Sequence, residues 1–221
     1  PPDLAVLYPS NLVASSVGPV PSGWPVIPLG ESFEVTMGQS PPGETYNETG
    51  VGLPFYQGRR DFGERYPSRR VFCSAPKRLA YAEDTLVSVR APVGDINLAT
   101  ETCCVGRGVA AVRHRSGAPN YTYEMMRSLS AVFTDYEAGG TVFGAISSRQ
   151  IASLAIIEPP SLLLRAFESL TAPLGQCLRL LACESAALAA IRDALLPKLL
   201  SGELRADEVE DADEPLREVP A

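Results

Sequence analysis

The chain of 221 residues is long enough for one sizeable domain and an appendage, and its 45% hydrophobic residues can fill a core. Five cysteines without a CxxC pair and a single histidine argue against a disulfide framework, a structural zinc site and histidine-based catalysis. The formal net charge of −7 lies mainly from Ser201 onward, where eight acidic residues stand against two arginines, so residues 1–200 carry only −1.

Residues 1–23 are rich in proline, serine and glycine, and they predict an extended linker that ends where Trp24 enters the core. They lack the basic and apolar regions of a signal peptide, and the chain contains no apolar run of about 18 residues. We therefore expect a soluble, cytoplasmic protein with no membrane partner.

A globular domain is predicted over residues 24–160. Its first part contains GQSPPGETYNETGVGLPF, whose composition predicts a long ordered loop, and loops of this length often carry function. The following segment, Arg59–Arg78, has seven basic residues against two acids, a local charge of +5. Because salt screens charges beyond ~8 Å, this segment can contact phosphates even in an acidic protein, although an ordinary solvated loop is the alternative.

Strands are predicted on both sides of the turn in DTLVSVRAPVGDINLA. Leu86 and Ser88 fall on one face of the first strand and Val87 on the other, and Pro92 forces a turn, so we expect a hairpin. CCVGRGVAAV predicts another strand interrupted by a tight glycine turn. The sheet is expected to be mixed or antiparallel.

Helical periodicity begins at Tyr121, with apolar residues at spacings of three and four as far as Tyr136, and Gly139-Gly140 supplies a stop. Ser147 and Gln150 have the spacing of a capping box, which predicts a short helix before the strand-like LAIIEPP. The fold class is therefore α+β.

Residues 161–200 predict spacer or dimerisation helices: a short helix, and then a long coiled-coil-type helix that Pro173 begins. The long helix carries an apolar seam at spacings of four and three, formed by Leu174, Leu178, Leu181, Leu188, Leu195 and Leu199. We expect this seam to pair with a helix outside the chain rather than to fold onto its own domain. Residues 201–221 predict an acidic disordered tail.

Catalytic motifs are missing from the sequence. The glycines of VGRG precede an apolar run rather than a helix, and no P-loop, dinucleotide fingerprint, GxSxG or HExxH is present. Glu83 and Asp84 are adjacent on a strand and point to opposite faces, which is poor geometry for a nuclease. His114, between two arginines, predicts a solvated basic turn rather than a base. We expect no catalytic residue and no metal ligand.

Binding residues are more plentiful, because arginine and glutamine make bidentate contacts to guanine and adenine in the major groove. Each such residue has a competing role, since a turn arginine often binds backbone carbonyls and a loop glutamine often faces water. The candidate DNA-binding residues are Gln39, Ser40, Tyr46, Gln57, Arg59, Arg60, Arg69, Arg90 and Arg107.

Five stretches carry a family resemblance when taken in order: GQSPPGETYNETGVGLPFYQGRRDFG, DTLVSVRAPVGDINLA, CVGRGVAAV, GTVFGAISSRQIASLAIIEPP and IRDALLPKLLSGEL. Together they strongly resemble the specificity (HsdS) subunit of type I restriction–modification systems, across roughly Trp24 to Leu204. The resemblance implies a target-recognition domain that reads one half of a bipartite double-stranded DNA target, followed by a spacer helix. It also implies that catalysis, with S-adenosylmethionine, ATP and magnesium, belongs to separate modification and restriction subunits, so this chain would hold no cofactor.

One feature departs from the family pattern, because full-length members resemble two such units. The chain is either a half-size subunit that forms a homodimer through its seam, or one half of a longer protein that pairs with a second recognition half. A different class of function stays open, in which a degenerate half acts as an assembly or regulatory scaffold without reading DNA.

Overall fold

The computed structural model describes residues 7–138 and 144–204, which divide into one compact unit up to Ala172 and a second from Pro173 onward. The helices are α1 (Leu29–Ser32), α2 (Pro119–Ser128), α3 (Ser130–Ala138), α4 (Ser148–Ala152) and α5 (Ser161–Ser201). The strands are β1 (Leu12–Ser15), β2 (Gly18–Pro21), β3 (Val26–Pro28), β4 (Phe33–Met37), β5 (Tyr46–Asn47), β6 (Leu53–Tyr56), β7 (Phe72–Cys73), β8 (Leu79–Ala80), β9 (Thr85–Val89), β10 (Val93–Leu98), β11 (Cys103–Val105), β12 (Val109–His114) and β13 (Ala155–Ile157). The α+β class and the long C-terminal helix are confirmed.

A four-stranded antiparallel sheet has the order β10-β9-β12-β4. Its strand β9 is buried along its whole length, and alternate residues enter different clusters, Leu86 on one face and Val87 and Val89 on the other. This alternation follows from the two-residue period of a strand. The predicted hairpin, β9 with β10, is therefore confirmed.

A second sheet has five short strands in the order β5-β7-β6-β11-β8. Strand β11 runs parallel to β6, with Cys104 opposite Phe55, and antiparallel to β8. The sheet is therefore mixed. Tyr56, Cys103 and Val105 are buried in the core of this region.

The main hydrophobic core lies where helices α2, α3 and α4 pack on the four-stranded sheet. Phe33, Val89, Met126, Phe133 and Ile151 are all buried in it. Each side chain of this size contributes about 1.5–3 kcal/mol when it is fully removed from water. The helices are thus held on the sheet by their apolar faces. The apolar spacings of three and four between Tyr121 and Tyr136 predict this amphipathic arrangement.

The helical segment is not continuous, however. Helix α2 ends at Ser128, and α3 begins at Ser130. The Ser128 hydroxyl donates to the Met125 carbonyl (2.7 Å), and Leu129 N–H bonds to Met126 at i−3, a tighter turn than an α-helix. The glycine stop at residues 139–140 lies outside the described residues.

The capping box at α4 is confirmed. Gln150 N–H donates to the Ser147 hydroxyl (3.3 Å), and Ser147 N–H donates to the Gln150 side-chain oxygen (2.9 Å). The predicted strand after this helix is β13, and it pairs antiparallel with β3.

The N-terminal linker prediction is wrong for Leu12–Pro21, because β1 and β2 form an antiparallel hairpin. Gly18 adopts a φ of 100° at the turn, a conformation that favours glycine, and Ser15 donates to its carbonyl (2.6 Å). Trp24 does not enter the core either. Its ring is half-buried and lies 5.7 Å from the Tyr8 ring.

His114 is buried rather than solvated, so the sequence interpretation of this cluster is wrong. Strand β12 continues to His114, and the alternation of the strand turns Arg113 outward and His114 inward. The imidazole Nδ1 lies 2.7 Å from the Ser116 hydroxyl, and Nε2 lies 3.4 Å from Glu158. Arg113 pairs with the buried Asp84 (2.6 Å). These contacts give His114 a structural role.

Helix α5 is continuous through Pro173, so the prediction that Pro173 begins a new helix is wrong. A proline removes one backbone hydrogen bond of a helix but does not always end it.

By length and composition α5 could also cross a membrane, since an 18-residue window of it has a mean hydropathy of 1.4, but one such helix is weak evidence for a membrane span. The tail from Arg205 onward lies outside the described residues.

Candidate nucleic-acid interface

Three loops meet where strands of the two sheets end: residues 38–45 after β4, residues 57–61 after β6, and residues 106–108 between β11 and β12. Backbone hydrogen bonds join the first loop to the ends of these strands, from Gly38 N–H to Val109 and from Gln39 N–H to Val105, both 2.9 Å. The Arg107 N–H also lies 3.3 Å from the Ser40 hydroxyl, which accepts its hydrogen bond. The loops therefore form one surface.

Two glycines allow this close approach. A Cβ atom at Gly38 would collide with the carbonyl of Gly106, and one at Gly108 would collide with the carbonyl of Gln57. Because both obstacles are backbone atoms, neither can move aside as a flexible side chain would. The loops pack backbone against backbone, and their side chains project away from this contact.

The side chains of this surface include predicted DNA-binding residues. Gln39, Gln57 and Arg107 are exposed, whereas Ser40 and Tyr46 are half-buried below them. The Tyr46 hydroxyl donates to the Pro41 carbonyl (2.7 Å), and its ring packs on Phe55 at 4.7 Å. Burial raises the pKa of Tyr46, although the Ser40 hydroxyl and the Arg107 charge oppose this effect. Tyr46 is thus a neutral support for the loop.

The turn of residues 57–61 is held by a buried carboxylate, whose burial the local charge count does not indicate. Asp61 is 4% exposed, and its Oδ2 accepts a hydrogen bond from Gln57 N–H (2.7 Å). Its Oδ1 lies 3.5 Å from Arg70. In the sequence, an aspartate three residues after Gly58 could have indicated this turn, because short polar side chains often bond to the backbone of a turn.

Several arginines of the basic segment are paired with acids. Arg59 lies 2.9 Å from Asp95, and Arg69 lies 2.5 Å from Glu101. Arg69 lies close to the turn that Asp61 closes, because the N–H of the preceding residue, Ser68, donates to the Asp61 carbonyl (2.8 Å). Asp95 and Glu101 come from β10 and the loop after it, so the local charge is smaller than the sequence segment suggests.

Three exposed predicted residues, Arg60, Arg90 and Arg107, form no salt bridge with any residue that the structure describes. Arg90 follows β9 and forms a backbone bridge with Ala145. The N–H of the preceding residue, Val89, bonds to the Gly108 carbonyl (2.9 Å), which joins this strand end to the glycine turn. The three cations are thus available for a polyanion.

No protein-family model matches the chain. Over 149 residues, or 66% of its length, the chain is 39% identical to a Methanocaldococcus jannaschii protein named as the MjaX type I restriction enzyme specificity subunit. It covers 35% of that protein.

Solved structures give the same relationship. The HsdS subunit from Thermoanaerobacter tengcongensis is 34% identical with a TM-score of 0.62, over 91% of this chain and 49% of that chain. A chain from a structure concerned with complex assembly and conformational transition of the type I R-M system is 36% identical with a TM-score of 0.60, over 88% of this chain and 49% of that chain.

The chain is a homologue of type I restriction enzyme specificity subunits. It spans about half the length of the two solved relatives above and 35% of the curated relative, which is consistent with a single recognition domain. The S subunit from M. genitalium, 16% identical with a TM-score of 0.61 over 81% of this chain and 46% of that chain, shares the fold.

In this specificity-subunit homologue, the acidic and thiol groups near the sheets have structural roles. Asp84 accepts a hydrogen bond from Tyr81 N–H (2.7 Å) and pairs with Arg113, so its carboxylate is already engaged. Burial raises the pKa of Cys103 to about 12 and that of Cys104 to about 11, which keeps both thiols protonated at neutral pH. Among the described residues there is no cluster of metal-ligating side chains.

The leucine seam of helix α5 is exposed. The exposed fractions of its members run from 40% for Leu195 to 64% for Leu174. An apolar stripe of this regularity is the usual surface for a helix partner.

Proposed function

We propose that this chain is the recognition half of a type I specificity subunit, which reads one half of a bipartite DNA target. It contributes no catalytic residue. Modification and restriction subunits perform the chemistry, and S-adenosylmethionine, ATP and magnesium bind to them rather than to this chain. The protein acts in the cytoplasm and needs no membrane.

The observation that carries this proposal is the convergence of three loops that place on one surface glutamines and arginines that have no acidic partner among the described residues. Arginine and glutamine read purine edges in the major groove, while positive charge supplies affinity for phosphates. The surface is held by backbone contacts, so its exposed side chains can differ between targets without loss of the fold. Such a division between a fixed scaffold and variable side chains suits a protein that recognises sequence.

The seam of α5 pairs with a second α-helix in this proposal. Two copies related by two-fold symmetry would read an interrupted palindrome, whereas pairing with a second recognition half would give an asymmetric target. The seam also supports a second candidate function, a regulatory scaffold that pairs without reading DNA.

The test is to express this chain with its modification subunit in a host that lacks adenine methylation, and to sequence the modified bases. Methylation at an interrupted palindrome supports a DNA-reading homodimer. No methylation, with the modification subunit active beside a complete specificity subunit, overturns autonomous reading. Addition of the second recognition half to the inactive pair then separates asymmetric reading from the scaffold, because only the former yields a methylated sequence.

A further inference from the structure

Asp95 lies in an irregular part of β10, where the register with β9 shifts between Val93 and Ile96. Its backbone N–H donates to the hydroxyl of Ser88 (2.9 Å), and that hydroxyl donates to the Pro92 carbonyl (2.8 Å). Ser88 is fully buried. The backbone of Asp95 is therefore held in place by a residue of the core.

The carboxylate of Asp95 lies against Arg59, with 2.9 Å between Oδ2 and Nε. The Arg59 side chain is 64% exposed and that of Asp95 is 37% exposed. The contact is an ion pair rather than a hydrogen bond, because Asp95 Oδ2 is buried without a hydrogen-bond partner among the described residues. An arginine whose acidic partner lies at Nε can still offer its terminal pair of donors to the two acceptors of a guanine edge.

Arg59 is also held at its backbone. It begins the turn that Asp61 closes, where Phe62 N–H bonds to the Arg59 carbonyl (2.9 Å). Gly108 packs against this turn at Gln57. Arg59 thus has both a hydrogen-bonded backbone and an acidic partner at its side chain, whereas Arg60 has no acidic partner among the described residues.

Because Asp95 carries a negative charge, the effect of removing it can show whether Arg59 contacts a phosphate or a base. A carboxylate near a DNA surface repels phosphates, so it weakens binding in general. If Arg59 contacted a phosphate, removal of Asp95 would strengthen DNA binding and leave sequence preference unchanged. If Arg59 reads a base, the same removal would free the guanidinium and weaken the preference at one base pair.

We propose that Asp95 is a positioning residue that orients Arg59 toward a purine edge, and so determines specificity at one base pair of the half-site. This inference rests on the proposed function. Arg59 supplies the contact, and Asp95 acts through Arg59 without touching DNA.

The test selects bound sequences from a randomised duplex DNA library with the full chain and its variants. The unaltered chain enriches a short motif. Arg59→Ala loses about 5- to 150-fold preference at one position. Asp95→Asn loses about two- to fivefold preference at that same position, with equal or higher affinity for random DNA. Asp95→Glu, which keeps the charge, restores part of the preference, and the double variant loses no more than Arg59→Ala alone.

Glu124→Gln is the matched control, because Glu124 lines the same open groove as Asp95 but pairs with Arg127 (3.1 Å). It removes one negative charge from the groove and leaves the motif intact. An unchanged motif in Asp95→Asn overturns the positioning role while the proposed function stands. Equal loss at every position, with a lowered melting temperature, also overturns it and assigns Asp95 to the fold. If the unaltered chain enriches no motif, both proposals fail.

Discussion

The carboxylate of Asp61 accepts a hydrogen bond of 2.7 Å from the backbone N–H of Gln57, four residues earlier. This bond closes the turn that presents Gln57, Arg59 and Arg60. Because Asp61 is almost fully buried, it fixes the turn from below and cannot itself contact DNA. The candidate surface therefore depends on a residue that lies beneath it.

Replacement of Asp61 by alanine should destabilise the protein and weaken DNA binding together. It leaves the Gln57 N–H without its partner and removes the buried carboxylate beside Arg70, with an expected cost of about 1–3 kcal/mol in the free energy of unfolding. Urea denaturation measures the stability, and fluorescence anisotropy with labelled DNA measures the affinity. Glu44→Gln removes an exposed charge from the neighbouring loop and should change the stability little. Full stability in Asp61→Ala would contradict the role of the turn.

Replacement of Arg107 by alanine should weaken DNA binding without a loss of stability. Its side chain is exposed and forms no salt bridge with a described residue, so little of the fold depends on it. If Arg107 contacts a phosphate, the slope of log affinity against log salt should fall by about 1. A salt titration of DNA binding measures this slope.

Arg115→Ala is a charge-matched control for Arg107→Ala, because Arg115 binds the carbonyls of Gly30 and Glu31 instead. It should leave the salt slope unchanged. A lowered melting temperature with unchanged DNA affinity in Arg107→Ala would assign that arginine to the structure.

Local patterns predicted much of the fold correctly. The hairpin of β9 and β10 follows from alternation within one strand, and the Ser147–Gln150 capping box follows from a spacing of three residues. The broken helix at Leu129 and the buried His114 were missed, because each depends on contacts that periodicity does not encode.

The candidate surface was only partly predictable for a similar reason. Residue types and local charge indicated the arginines and glutamines, but they could not show which would be paired. Ser40 and Arg107 are 67 residues apart in sequence, and Arg59 meets its acidic partner on a separate strand. Such contacts arise from the packing of two sheets, which a single sequence does not specify.

The buried thiols predict a loss of stability in alkaline solution. Both Cys103 and Cys104 have a folded pKa raised by burial above the ordinary value of 9.0, to about 12 and about 11. Above pH 9 the unfolded chain therefore releases thiol protons that the folded chain keeps, and the free energy of unfolding falls as the pH rises. The contribution is fully present below pH 9. Urea denaturation between pH 8 and pH 10 measures the fall.

Cys103→Ala should reduce the dependence on pH, whatever its effect on the absolute stability. Cys177→Ala, which removes an exposed thiol, should leave the dependence as it is in the parent. Equal pH dependence in Cys103→Ala and the parent would show that the Cys103 thiol does not contribute.

The last prediction concerns the seam of α5 and compares two neighbouring leucines. Leu181 belongs to the seam and is 55% exposed, whereas Leu180 lies outside it and is 61% exposed. Successive residues of a helix point about 100° apart, so the two side chains face different directions. Leu181→Glu places a charge in the proposed helix contact and should weaken self-association by at least about tenfold, while Leu180→Glu should leave it near the parent value. Sedimentation equilibrium measures both variants against the parent. A parent that stays monomeric contradicts the homodimer, and equal weakening by both substitutions contradicts the seam as the contact surface.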